Sequence, residues 1–141
     1  LHAIKFIRQS YSFTFDNVIF LQPTSPIRNH FDIDKAIKKF KRFKYDSLFS
    51  GVDLHPLIWK NKKNSLFPSN YSIKNRKRRQ SQNQQTIIEN GSFYITKKKI
   101  WFKNKNSLGG KIGCYLMDSS SVFEVNSYSD LKIIKKLIKT H

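Results

Sequence analysis

A short apolar run, Asn17-Val18-Ile19-Phe20-Leu21, closed by Gln22-Pro23-Thr24-Ser25-Pro26, constrains the fold of this chain more than any other feature. Such a run, bounded by turn signals, is too short for a helix. It reads as a strand buried on both faces, as in a parallel sheet. Pro23 and Pro26 stop it, because each proline fixes φ near about −65° and lacks an N–H for the ladder. In open α/β sheets, ligands bind beyond the carboxyl ends of strands. Gln22, Thr24 and Ser25 are therefore placed to hold a polar ligand. A rigid turn whose hydroxyls cap the next helix explains the same residues equally well.

The rest of the chain alternates in kind. Leu1 to Gln9 reads as the end of a helix. Asn29, with Asp32 three residues later, is positioned to cap a second helix. That helix carries Ile33, Ala36, Ile37, Phe40 and Phe43 on one face and lysines elsewhere. Ser47 to Val52, Ser92 to Thr96 after Gly91, and Lys111 to Met117 read as further strands. Ser127 to Lys139 is the strongest helical pattern: Ser127 caps, Asp130 sits at the third position, and Leu131, Ile134, Leu137 and Ile138 form the apolar face. Strands alternating with helices place the chain in the α/β class. Residues 55–88 interrupt this order. They are polar, poor in apolar anchors, and too long for an ordinary loop. They form a disordered insert, or an arm that gains its burial against another chain.

Composition narrows the function classes. The chain has 141 residues, enough for one domain or part of a larger one. With 27 Lys+Arg against 9 Asp+Glu, its net charge is +18. A polyanion partner is the first thought. However, the lysines lie along every segment, and arginine, the better reader of base edges, occurs only six times. Nucleic acid is therefore not the expected partner. One cysteine, Cys114, excludes an internal disulfide scaffold and fits a core position better than a nucleophile. No run of about 18 apolar residues is available to span a membrane. No signal peptide is legible, so a reducing, cytoplasmic setting is expected. The chain begins at Leu1 rather than Met, which suggests a missing beginning. The four histidines show no metal-ligand spacing, and Gly109-Gly110 lacks the spacing of a phosphate cradle.

Three blocks together resemble the acylneuraminate cytidylyltransferases, the CMP-sialic acid synthetases. Leu21 to Arg28 reads LQPTSPIR, where that family has LQPTSPLR, and a DID-type helix start (Asp32-Ile33-Asp34) follows. Arg78-Arg79-Gln80, then Glu89-Asn90-Gly91-Ser92-Phe93-Tyr94-Ile95, is similar to the family's RRQ and ENGAIYI, with one extra residue between them. Lys111 to Met117, followed by Val122 to Leu131, resembles the closing strand and the SIDIDTxxDL motif. The blocks fall in family order from Asp16 to Leu137.

The resemblance implies the C-terminal part of one cytidylyltransferase domain over residues 1–141. The fold would be part of a three-layer, Rossmann-like nucleotidyltransferase sheet, with a projecting dimerisation arm at about 55–88. The N-terminal part, with its triphosphate loop, would be absent. The implied reaction joins CTP to a nine-carbon 2-keto sugar acid and releases pyrophosphate, in a homodimer and with Mg²⁺. By the same resemblance Gln22 lies beside sugar and nucleotide. Thr24 and Ser25 shape the nucleotide side, with Arg28 closing the motif. Arg79, followed by Gln80, pairs the sugar carboxylate, a task suited to a bidentate donor. Asn90 fixes the loop ahead of Tyr94, which packs on the sugar, and Lys60 approaches the sugar. The metal pair departs from the family, since Glu124 and Asn126 stand where two aspartates are usual. Both can offer oxygen to Mg²⁺, with one negative charge fewer. Two other functions stay open: a remnant that binds the sugar or is inactive, and, less favoured, a basic nucleic-acid-binding module. The sequence does not separate neuraminic, legionaminic and pseudaminic acid.

Overall fold

The structure, a computed structural model, describes residues 2–11, 14–76, 78 and 85–138. The chain is α/β. Helix α1 (His2–Tyr11) leads into β1 (Asn17–Leu21), α2 (Asp32–Arg42) and β2 (Ser47–Asp53). A hairpin of β3 (Trp59–Lys62) and β4 (Ser65–Pro68) follows. The chain continues through β5 (Ile87–Lys97), α3 (Lys98–Asn104), β6 (Ile112–Leu116), a 3₁₀ turn (Ser119–Val122) and α4 (Tyr128–Ile138).

Four strands form one mixed sheet in the order β1-β5-β2-β6. The β1–β5 and β5–β2 pairs are antiparallel, and β2–β6 is parallel. The eleven-residue β5 is thus an inner strand that organises the rest. The core gathers Ala36 and Phe40 of α2, Leu48 and Val52 of β2, Phe93 and Ile95 of β5, and Met117. Ile33 and Ile37 pack around it, one helical turn apart from their partners as the period demands. Phe43 stays exposed beyond the end of the helix.

Several sequence expectations change. Asn17–Leu21 is a strand, but it is an antiparallel edge strand, and Ile19, Phe20 and Leu21 are exposed. Its exposure reflects pairing on one side only. Asn29 does not cap α2. The N-cap is Phe31, without a side-chain bond, while the Asp32 carboxylate accepts the Asn29 N–H at 2.8 Å. Residues 55–88 are not wholly irregular. The Lys63-Asn64 turn has positive φ at both positions (51° and 63°), the geometry that matches strand twist in a two-residue hairpin. Ser69 N–H to Ile58 O (2.7 Å) and the Asn70 side chain on Ile58 and Pro56 clamp its base. Leu66, Phe67, Trp59 and Ile58 all remain exposed on this hairpin. Helix α3 has no counterpart in the sequence reading: its lysines hide the periodicity, and only Ile100 is buried. Helix α4 starts as expected, with Ser127 Oγ accepting the Asp130 N–H (3.2 Å) and the Asp130 carboxylate accepting the Ser127 N–H (2.7 Å). Among the described residues no helix is long and apolar enough to cross a membrane.

Asp46 ties three segments at the far end of the sheet. Its carboxylate accepts the Lys111 N–H (3.0 Å) and pairs with Lys97 (3.0 Å) and Lys99 (3.1 Å). The Lys111 backbone bond, then the two ammonium groups, hold its pKa well below the usual carboxylate range. A carboxylate with a depressed folded pKa stabilises above its unfolded value, about 3.9, and loses that contribution as pH falls. Thermal midpoints measured between about pH 3 and 7 should therefore drop towards the acid end. Asp46→Asn should flatten that part of the curve while lowering the neutral midpoint.

Candidate functional site

The end of β1 and the middle of β5 meet at a bulge. On β2, Phe49 pairs with Tyr94 and Gly51 pairs with Glu89, so two steps on one strand match five on the other. The extra residues, Asn90 to Phe93, would leave ladder groups unpaired. Ser50 fills the gap: its hydroxyl donates to Asn90 Oδ1 (2.7 Å) and accepts the Phe93 N–H (2.9 Å). Asn90 Oδ1 also accepts the Ser92 N–H (3.3 Å). Asn90 Nδ2 donates to Ser121 Oγ (2.8 Å) and Ser121 O (3.2 Å). Asn90 is 2% exposed, so these bonds replace water completely.

Gly91 makes the sharpest part of the bulge, at φ +65°. A Cβ there would lie 2.6 Å from both Gln22 Oε1 and Glu124 Oε1. These two side chains, about a hundred residues apart in sequence, therefore close over the same backbone. Ser25 joins them: its hydroxyl lies 3.1 Å from Asn90 O and 3.3 Å from Glu124 Oε1. Val125 N–H donates to Thr24 O at 2.7 Å and docks the Glu124 segment on the proline turn. The Tyr94 hydroxyl donates to Glu89 Oε1. Burial first, then that bond and the charges of Glu89 and Glu124, push the Tyr94 pKa above the usual phenol range. The result is a wall of oxygen atoms: Gln22 Oε1, Glu124, Glu89 and the Tyr94 hydroxyl.

The anticipated residues thus separate. Gln22, Ser25, Asn90, Tyr94 and Glu124 converge. Ser25 is itself buried, so its hydroxyl builds the wall rather than facing outward. The Gln22 side-chain amide and the Thr24 hydroxyl make no hydrogen bond among the described residues and stay available. Arg28 is committed to Ser92, donating to its carbonyl at 3.0 Å and lying 3.4 Å from its hydroxyl. It lines a cavity of about 340 Å³ behind the proline turn, with Asp32, Met117 and Asp118, which Gln22, Tyr94 and Glu124 do not line. Lys60 stands exposed on the hairpin, joined to the wall by no hydrogen bond or ion pair among the described residues. Arg79 and Gln80 lie outside the described residues.

Glu124 and Asn126 do not lie on a strand, so alternation does not aim them together. Glu124 is half-buried against Ser25, while Asn126 is exposed with its N–H held by the Asp130 carboxylate at 3.0 Å. Among the described residues no three His, Cys, Asp or Glu side chains gather as a metal cluster. Cys114 is half-buried on β6, and burial pushes its thiol up to about 11, which suits an inert core position. Sequence reasoning missed Glu89 and Ser50. Glu89 falls inside a quoted motif, but only the bulge brings it to Tyr94.

The chain is 30% identical over 131 residues to the post-translational flagellin modification protein B of Campylobacter coli, a match covering 89% of this chain and 54% of that protein. It thus spans about half the length of the curated relative it matches. No family model matches the chain.

Two outcomes follow from the bulge. Asn90→Ala should destabilise by about 2–4 kcal/mol in denaturant unfolding, since it leaves several buried partners unpaired. Gly91→Ala should cost about 1–3 kcal/mol for the positive φ, and should also displace Gln22 and Glu124, visible as lost ligand affinity beyond the stability change.

Proposed function

We propose that this chain is part of a nucleotidyltransferase that joins CTP to a nonulosonic acid sugar, giving the CMP-sugar and pyrophosphate. The observation that carries the reading is the meeting of Gln22 and Glu124 over Gly91, with Tyr94 within reach of the Glu124 charge. These are residues of three separate motifs of the resemblance; Gln22 and Glu124 meet just beyond the carboxyl end of β1, and Tyr94 lies beside them opposite Phe20. A relative named for modifying flagellin after translation is in keeping with it, since any modification that attaches a sugar needs that sugar activated first.

In this reading the anomeric hydroxyl oxygen of the sugar bonds to the α-phosphorus of CTP. The bond to the bridging oxygen breaks, pyrophosphate leaves, and the hydroxyl proton passes to solvent. Gln22, with its free amide, orients the sugar and the nucleotide at the same point. Thr24 presents its hydroxyl on the nucleotide side. Arg79, with Gln80 beside it, pairs the sugar carboxylate, and Lys60 adds positive charge from the hairpin. Glu124 would offer one carboxylate oxygen to Mg²⁺ and Asn126 one amide oxygen, although the fold does not aim the two side chains together. When bound, the ion neutralises phosphate charge. The hairpin's exposed Leu66 and Phe67 would be covered in a homodimer, where one symmetric contact buries the arm twice.

The test is pyrophosphate release from CTP with N-acetylneuraminic, legionaminic and pseudaminic acids, using the intact protein. One of the three should be turned over, EDTA should abolish turnover, and Gln22→Ala should lower kcat/KM by about a hundredfold. No release with any of the acids in the presence of Mg²⁺ would overturn the reading. Binding of a sugar acid without turnover would favour a sugar-binding remnant, a reading that the weakened metal pair also supports.

A further inference from the structure

We infer that Glu89 is a positioning residue that fixes Tyr94 as an acceptor-only contact, so that the ligand group meeting this phenol must bring a hydrogen-bond donor. The identity of the ligand rests on the proposed sugar-acid reading; the Glu89–Tyr94 relation does not.

A phenol carries one proton and a carboxylate carries none. The Tyr94 hydroxyl gives its proton to Glu89 Oε1, leaving only oxygen lone pairs for a ligand. On a regular strand, residues five apart point to opposite faces. Glu89 reaches Tyr94 only because the bulge places the extra residues of β5 opposite Ser50, between the partners of Gly51 and Phe49 on the neighbouring strand. The Tyr94 ring cannot easily turn away: it is 9% exposed and lies 6.1 Å from the Phe20 ring, its cross-strand partner. Glu124 adds a second negative charge that keeps the phenol protonated.

Around Tyr94 the wall therefore offers only acceptors, the phenol oxygen and the carboxylates of Glu89 and Glu124, while the free Gln22 amide keeps the N–H donors of the site. A substrate carboxylate is repelled here and must seek the basic residues elsewhere. A hydroxyl or amide N–H is attracted. Glu89 thus decides the orientation in which an acidic polyol enters: acid group away from Tyr94, donor group towards it.

The experiment uses Glu89→Ala, Glu89→Gln, Tyr94→Phe and the double variant Glu89→Ala/Tyr94→Phe in the intact protein. Tyrosine labelled with ¹³C at Cζ reports the hydrogen bond directly, with the Tyr94 resonance assigned by its loss in Tyr94→Phe. Glu89→Ala should shift that resonance. Glu89→Gln, which keeps an acceptor oxygen, should shift it less. In turnover, Glu89→Ala should raise KM for the sugar acid about five- to tenfold, the size expected for one lost hydrogen-bonded contact, with KM for CTP unchanged. The double variant should be no worse than Tyr94→Phe alone, because both act through one hydroxyl. Among monodeoxy analogues of the sugar acid, the one lacking the facing donor should bind weakly to the parent protein and show no further loss with Tyr94→Phe. An unmoved Tyr94 resonance in Glu89→Ala would overturn the inference, as would additive kinetic losses in the double variant. If no sugar acid is turned over, the functional reading fails, and the resonance still decides the Glu89 role by itself.

Discussion

The structure depends on one buried amide. Asn90 accepts from Ser50 and from the backbone of Ser92, donates to Ser121, and offers its carbonyl to Ser25. Each of these groups would be costly to bury alone. Together they satisfy one another and let an inner strand carry extra residues without breaking the sheet. The bulge that results is the geometric source of the candidate site. It turns Gly91 under Gln22 and Glu124, and it sets Glu89 against Tyr94.

Polar and apolar layers divide the labour around that amide. Leu48, Phe93 and Ile95 bury themselves against Ala36 and Phe40 and hold the sheet to α2. The serines at positions 25, 50, 92 and 121 are just as buried, and each is bonded. Such a network tolerates only one arrangement, because a shifted strand would strand several donors at once. The chemistry-bearing side chains therefore stand on rigid support rather than on a loose loop. The exception is the hairpin, whose apolar residues face outward and whose strands, among the described residues, pair only with each other. Two strands alone are marginal in water, and its Trp59 and Phe67 stay exposed.

Much of the architecture was legible in local pattern. The α2 stripe, the Ser127–Asp130 cap and the strands at 47–53 and 112–116 follow from periodicity and capping, which depend on neighbours in sequence. The α3 helix was not legible, since its lysine run carries no clear apolar stripe. Nor was the partner of β1: apolar content indicates burial in general, not whether a strand lies inside a sheet or at its edge. The motifs containing Gln22, Asn90, Tyr94 and Glu124 could be picked out by resemblance, but the pairing of Glu124 with Asn126 rested on a strand alternation that the structure does not use.

What the sequence by itself determined is the α/β class, the order of most elements, and the short motifs that hold the polar residues. Those features arise from period, turn chemistry and residue type, all of them local. Only the tertiary structure decided that β5 bulges, that Ser50 repairs its ladder, and that Glu89 accepts the Tyr94 hydrogen bond. Those outcomes require residues from distant segments to compete for the same few hydrogen-bonding atoms, and no local pattern records which of them wins.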